Sequence, residues 1–164
     1  MKMKKGSKSI ISTLMGTAAG AVAGGVAVKT SATKKIKEQQ ETLNKVHALY
    51  CTFDRWLQIH QGGRNLSEYF QKNNYKTIAI YGMKELGERL VDELQDSGIK
   101  VCYAIDKNAD LIYEDVDIVT PDDELKPVDV IVVTAIYYFD EISDMLSEKV
   151  NYPVVSLEDI VYEL

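Results

Sequence analysis

The sequence predicts an α/β fold: a small parallel sheet of about five strands, in the order 3-2-1-4-5, occupying residues 76–164. A hydrophobic N-terminal helix and an amphipathic helix precede it. Three observations carry the prediction. Short, uninterrupted apolar runs bounded by polar residues recur through this half, the pattern of strands buried on both faces. Between the first two runs lies a stretch with one apolar face, which reads as a helix. Strand, helix and strand then follow within about 30 residues, the size of a βαβ unit.

The elements are read in order. Thr77-Ile78-Ala79-Ile80-Tyr81 is the first strand, and Gly82 follows it at once. Leu86, Leu90, Val91 and Leu94 mark one face of a helix reaching Ser97, closed by Gly98. Lys100 to Ile105 is the second strand and runs into Asp106. Asp117-Ile118-Val119, ahead of the breaker Pro121, makes a short third strand. Val128 to Ala135 is the strongest run and the fourth. Phe139 to Leu146 is an amphipathic helix, Pro153 to Ser156 the last strand, and Leu157 to Leu164 a closing helix. In this order the strand sequence reverses between the first and fourth strands, where open α/β sheets hold their ligands.

Upstream, residues 34–75 read as a helical linker. Ile36, Leu43, Val46, Tyr50, Phe53, Leu57 and His60 fall at heptad spacing, up to Gly62-Gly63. Two readings fit that seam over 36–60: a helix lying on the following domain or between it and a membrane, and a parallel homodimer. Asn65 caps a short helix that stops near Asn73-Asn74. His47 and His60 are 13 residues apart and read as ordinary helix residues. Cys51 and Cys102 stand apart, outside any CxxC or Cys/His cluster, and read as reduced thiols with no metal role.

Residues 1–33 form a basic, Ala/Gly-rich segment. Ile10–Val28 carries no charge and is flanked by lysines, about the length of one bilayer crossing. Gly16, Gly20 and Gly24 recur every four residues, a smooth strip of the kind that lets helices associate in lipid. The segment resembles the glycine-zipper helices of small bacterial membrane proteins. A membrane anchor at 10–28, a cleaved signal peptide and a surface-lying tail are the three readings. Flanking lysines on both sides leave orientation to be set by the fold, which expects the α/β domain in the bacterial cytoplasm at the inner membrane; a soluble cytoplasmic protein is the alternative.

Charge divides the chain. Residues 1–37 hold eight lysines and no acid, while the remainder holds 11 Lys and Arg against 25 Asp and Glu. An acidic body with no basic stripe excludes nucleic acid as a partner.

The candidate site is the first strand-to-helix turn, Gly82-Met83-Lys84-Glu85-Leu86-Gly87. The dinucleotide fingerprint G-x-G-x-x-G asks for three glycines: for the turn, for the pyrophosphate's approach, and for helix packing. The first and third are here; Lys84 stands in the second place, where it can meet a phosphate as a point charge. Asp106, at the end of the second strand, lies where a ribose-binding acid belongs. Thr134 and Ala135 close the fourth strand across the switch point, ahead of Tyr137-Tyr138 and Asp140-Glu141. No catalytic constellation is found. The acidic runs Glu114-Asp115-Asp117 and Asp122-Asp123-Glu124 lack calcium-loop spacing.

Ile80-Tyr81-Gly82, Leu86-Gly87-Glu88-Arg89-Leu90 and Tyr103-Ala104-Ile105-Asp106-Lys107-Asn108-Ala109-Asp110 resemble a Rossmann-like domain of bacterial sugar enzymes. It is similar to the N-terminal nucleotide-sugar-binding domain of sugar acetyltransferases and to the C-terminal domain of sugar C-methyltransferases. The resemblance, over roughly residues 65–160, implies a nucleotide-sugar or NAD(P) ligand in cell-surface polysaccharide metabolism. It implies contacts at Gly82, Gly87 and Asp106; Lys107, next to Asp106, is a further candidate contact. The partner catalytic domain of either enzyme type is not in this stretch, so their reactions do not carry over; the expected function is a membrane-tethered module binding a nucleotide or nucleotide-sugar, and the alternatives are a subunit of a sugar-nucleotide enzyme with its catalytic residues on a partner and a ligand-free oligomeric membrane scaffold.

Overall fold

The structure, a computed structural model, describes residues 8–108 and 116–164, with side chains from residue 32 onward. The glycine strip and the uncharged stretch 10–28 fall in the part of the chain described by backbone only, and Asp110 and the pair Glu114-Asp115 fall outside the described residues. Among the described residues no helix is long and apolar enough to cross a membrane. The chain divides into two units, Met1–Lys45 and Val46–Leu164.

The elements follow as α1 (Lys8–Gln61), α2 (Ser67–Lys72), β1 (Thr77–Tyr81), α3 (Glu85–Leu94), β2 (Lys100–Ile105) and β3 (Ile118–Val119). Then come β4 (Val130–Val133), a 3-10 turn (Ile136–Tyr138), α4 (Phe139–Ser147), β5 (Val154–Ser156) and α5 (Leu157–Glu163). The five strands form one sheet, all parallel, in the order β3-β2-β1-β4-β5. The expected architecture and strand order are those observed.

Alternation along the strands explains both layers. Ile78, Ile80, Ala104, Val130 and Val132 face one core, shared with residues of α2, α3, α5 and the end of α1. Ala79, Tyr81, Tyr103, Ile105, Ile131 and Val133 face the other, under Ile142 and Leu146 of α4. A sheet covered on both faces needs apolar residues at every strand position, which is why the runs read as continuous. The register slips between Ile78 and Ala79, opposite Val101 and Tyr103, so Cys102 is the extra residue of β2.

The second unit begins at Val46, so the last turns of α1 and all of α2 fold with the sheet. In the second unit the packed face of α1 shares only Phe53 with the heptad seam. Thr52, Trp56 and Ile59 are buried, with Leu49 and Phe53 packed beside them. Val46, Tyr50 and Leu57, which the seam reading would set against the domain, are exposed. The reason is physical: a helix presents whichever stripe matches the partner surface, and Trp56 and Ile59 fill more of this core than the seam residues would.

Glu93 locks that junction. Its side chain is only 7 % exposed. Trp56 Nε1 donates to its Oε2. The Leu66 N–H donates to Oε1 at 2.5 Å, and His60 Nε2 lies 2.9 Å from Oε2. One carboxylate of α3 thus holds the end of α1 and the entry to α2. The N-cap position of α2 is Leu66, one residue past the expected Asn65, whose Oδ1 still accepts from the Ser67 N–H at 3.0 Å.

At the amino edge of the sheet, Asp129 clamps β1 to β4. Its Oδ2 accepts from the N–H groups of Lys76 (2.7 Å) and Thr77 (2.8 Å), and from Thr77 Oγ1 (3.0 Å). These donors, the Lys76 N–H first, hold the carboxyl below its ordinary pKa. A depressed carboxylate contributes stability that is present above its unfolded pKa and lost as pH falls through the folded one. The melting temperature should therefore fall on acidification below about pH 4. Asp129→Asn should lower it at neutral pH and reduce the further loss in acid. Equal acid sensitivity of the two proteins, followed by circular dichroism, would remove Asp129 from the account.

Candidate functional site

Strand β1 ends at Tyr81, and the next residue must turn sharply out of the sheet. Gly82 does so with φ = 98°, a conformation that costs a side-chain-bearing residue on the order of 1 kcal/mol. The turn is tied to strands on either side. The Gly82 N–H donates to Ile105 O on β2 (2.8 Å), and the Thr134 N–H donates to Tyr81 O (2.9 Å). Thr134, 6 % exposed, places its Oγ1 3.0 Å from Tyr81 O and 2.5 Å from Gly82 O. A Cβ on Gly82 would come within 2.8 Å of that hydroxyl.

Gly87 lets α3 start directly beneath the turn. A Cβ there would stand 2.2 Å from Gly82 O and 3.2 Å from its carbonyl carbon. This is the packing role of the third glycine in the fingerprint. Between the two, Met83 and Leu86 are buried in the core and fix the helix on the sheet. Lys84 and Glu85 are exposed.

Asp106 completes the constellation. Its Oδ2 accepts from the Met83 N–H and its Oδ1 from the Asn108 N–H, both at 2.9 Å. The acid at the end of β2 therefore holds the glycine turn in place. A carboxylate has about four acceptor positions, so each oxygen can still receive a ligand hydroxyl. Lys107 is exposed and Ala135 half-buried.

Helix α3 has no side-chain cap: Lys84 sits at its N-cap position and makes no capping bond. Its first amides point outward with the positive end of the helix dipole, the arrangement that receives phosphate or carboxylate groups. Glu85 and Glu88 in the first turn oppose an anion there. By contrast α5 is capped internally, with Ser156 Oγ accepting from the Glu158 N–H at 3.2 Å.

The structure thus joins Gly82, Met83, Gly87, Asp106 and Thr134 through backbone contacts, with Lys84, Glu85, Lys107 and Ala135 at the surface around them. Sequence reasoning missed Tyr81. It is 5 % exposed, and its hydroxyl is buried with no hydrogen-bond partner. Burial pushes its pKa up, aided by the charges of Asp106 and Asp122. The hydroxyl lies where both carboxylates, from loops at the carboxyl edge, act on it. The signal was a tyrosine as the last residue of a buried strand, directly before the turn glycine. Beyond β4, Tyr137 and Tyr138 are exposed and meet edge to face at 5.5 Å. Among the described residues, no group of three or more His, Cys, Asp and Glu is placed to hold a metal ion.

Fold and turn together define a Rossmann-like α/β protein. No protein-family model, curated protein or solved structure matches the chain.

Proposed function

We propose that the chain is a binding module that takes a nucleotide or nucleotide-sugar at the carboxyl edge of its Rossmann-like sheet. The observation that supports it most is the glycine turn: Gly87 leaves 2.2 Å between a would-be Cβ and Gly82 O, directly over an uncapped ten-residue helix. Diphosphate oxygens would accept from the first amides of α3, with Lys84 as an added positive charge. Ligand hydroxyls would donate to the acceptor positions left on Asp106. The resemblance to bacterial sugar enzymes favours a nucleotide-sugar over NAD(P), and cell-surface polysaccharide metabolism as the setting.

A ligand-free scaffold is the second reading. Its support is that both Asp106 oxygens already accept backbone N–H groups. Thermal-shift screening of the full-length chain against UDP- and CDP-sugars, NAD(P) and nucleoside triphosphates separates the two. At least one class should raise the melting temperature, and Lys84→Gly and Asp106→Ala should each change its affinity. A flat screen would favour the scaffold.

In this proposal residues 10–28 tether the module to the inner face of the bacterial cytoplasmic membrane. Full-length protein should then sediment with membranes after lysis and need detergent for release. Recovery in the soluble fraction would discard the tether and leave the binding reading standing.

A further inference from the structure

The chain leaves β4 over the end of the sheet. Ala135 lies against the glycine turn: a Cβ on Gly82 would stand 3.4 Å from the Ala135 nitrogen and 3.6 Å from its Cβ. The 3-10 turn Ile136–Tyr138 follows at once, and the Tyr138 N–H donates to Ala135 O at 2.9 Å. Ile136 packs against the core on the α3 face of the sheet, and Phe139 against the core on the α4 face. A segment anchored to opposite faces three residues apart crosses the carboxyl edge. Tyr137 and Tyr138, between the two anchors, therefore sit on that edge beside the turn. They are 44 and 42 % exposed, and their rings meet at 5.5 Å and 82°. Two rings at this angle make a corner, not a flat platform.

We propose, resting on the nucleotide-sugar reading above, that this corner seats the sugar ring of the ligand and selects an uncharged sugar over an acidic one. Strand β1 lies between β2 and β4, so the ends of those strands flank the turn, each about 4.8 Å away. A diphosphate at the start of α3, with its nucleoside ribose at Asp106, directs its other end toward β4. A pyranose there sets C–H groups on a ring face, where the π-density is negative, and hydroxyls beside the phenol groups. A flat base stacks on one ring face and leaves the second ring unused. Charge supplies the selection. From Thr134 to Glu148 the chain carries no Lys or Arg. Asp140 and Glu141, exposed in the first turn of α4, come directly after the pair. Their carboxylates accept sugar hydroxyls and repel a sugar carboxylate. The cations of the site, Lys84 and Lys107, follow β1 and β2 instead.

Isothermal titration calorimetry of the full-length chain in mild detergent tests it with UDP, UDP-glucose, UDP-glucuronate and NAD. UDP-glucose should bind about fivefold more tightly than UDP. UDP-glucuronate should bind about tenfold more weakly than UDP-glucose. Tyr137→Ala with Tyr138→Ala should bring UDP-glucose down to the affinity of UDP and leave UDP unchanged. Tyr137→Phe with Tyr138→Phe keeps both rings and should retain most of the difference. Asp140→Asn with Glu141→Gln should narrow the gap between the two sugars, and this arm stands if the alanine pair fails to fold. Equal affinity for UDP and UDP-glucose, equal affinity for the two sugars, or an alanine pair that weakens UDP as much as UDP-glucose overturns the proposal and leaves the nucleotide site standing. Binding of NAD alone, weakened by the alanine pair, also overturns it and gives the corner to a second nucleoside. No binding by any of the four overturns the nucleotide-sugar reading itself, and the sugar corner with it.

Discussion

Gly87→Ala should destabilise the second unit by about 3 kcal/mol, the upper part of the usual range for overpacking. The new methyl carbon would stand 2.2 Å from a carbonyl oxygen, and that oxygen belongs to the backbone. Gly82 cannot step aside cheaply. Its N–H is bonded to Ile105 O, and its carbonyl lies 2.5 Å from Thr134 Oγ1. Relief requires α3 to lift from the sheet, and that draws on Met83 and Leu86 in the core. Urea denaturation should show a lower midpoint with an unchanged slope. The same shift would carry the first amides of α3 away from the edge, so any ligand found by screening should bind the variant more weakly than its stability loss alone explains. A midpoint within about 0.5 kcal/mol of the parent protein would show that the turn is looser than its contacts indicate.

Glu93→Ala should cost about 3 kcal/mol by a different route. The carboxylate is buried and serves the Trp56 indole N–H and the Leu66 backbone N–H, with His60 beside it. Its removal leaves two buried donors without an acceptor, and each such loss costs about 1–3 kcal/mol. Glu93→Gln keeps one acceptor oxygen and should cost less than the alanine. The loss should be local at first, with hydrogen exchange accelerating at the end of α1 and in α2 before it does in β1 and β4. If Glu93→Ala and Glu93→Gln were equally mild, the hydrogen bonds at this junction would contribute little and packing of Trp56 and Ile59 alone would hold it.

The sheet was legible because it is buried on both sides. The strand interiors, Ile78–Tyr81 in β1 and Val130–Val133 in β4 above all, have to be apolar, and the glycine after Tyr81 marks where the first one ends. Even the order of the strands follows from one βαβ unit and the position of the switch point. What escaped the sequence was set by partners far along the chain. Glu93 meets Trp56, His60 and Leu66, separated from it by 37, 33 and 27 residues. Nothing local in any of the four announces the meeting. The two apolar faces of α1 overlap in the sequence, and periodicity alone favoured the seam; only packing shows that Trp56 and Ile59 are the residues the domain uses.

The site was half legible for a related reason. Gly82, Gly87 and Asp106 stand out because the fingerprint names residue types at fixed spacing. The fingerprint does not reveal how each is used. Asp106 turns one oxygen to Met83 and the other to Asn108, a role that depends on the exact path of the turn. Thr134 was placed only as the strand end opposite the turn, and its hydroxyl proves to be what fills the space a Gly82 side chain would need. Tyr81 was read as strand filler, which its ring is. Its hydroxyl, buried beyond reach of any partner, is visible only in three dimensions.

The uncapped start of α3, framed by Gly82 and Gly87, is the proposed seat of a nucleotide-type ligand. Backbone hydrogen exchange measured on the full-length chain, alone and with a saturating UDP-sugar or NAD, tests it most directly. Exchange should slow at Glu85, Leu86 and Gly87, and with them at Ala135 and Ile136 after β4. Unchanged exchange at these amides with every nucleotide tried, or protection confined to another part of the sheet, would contradict it.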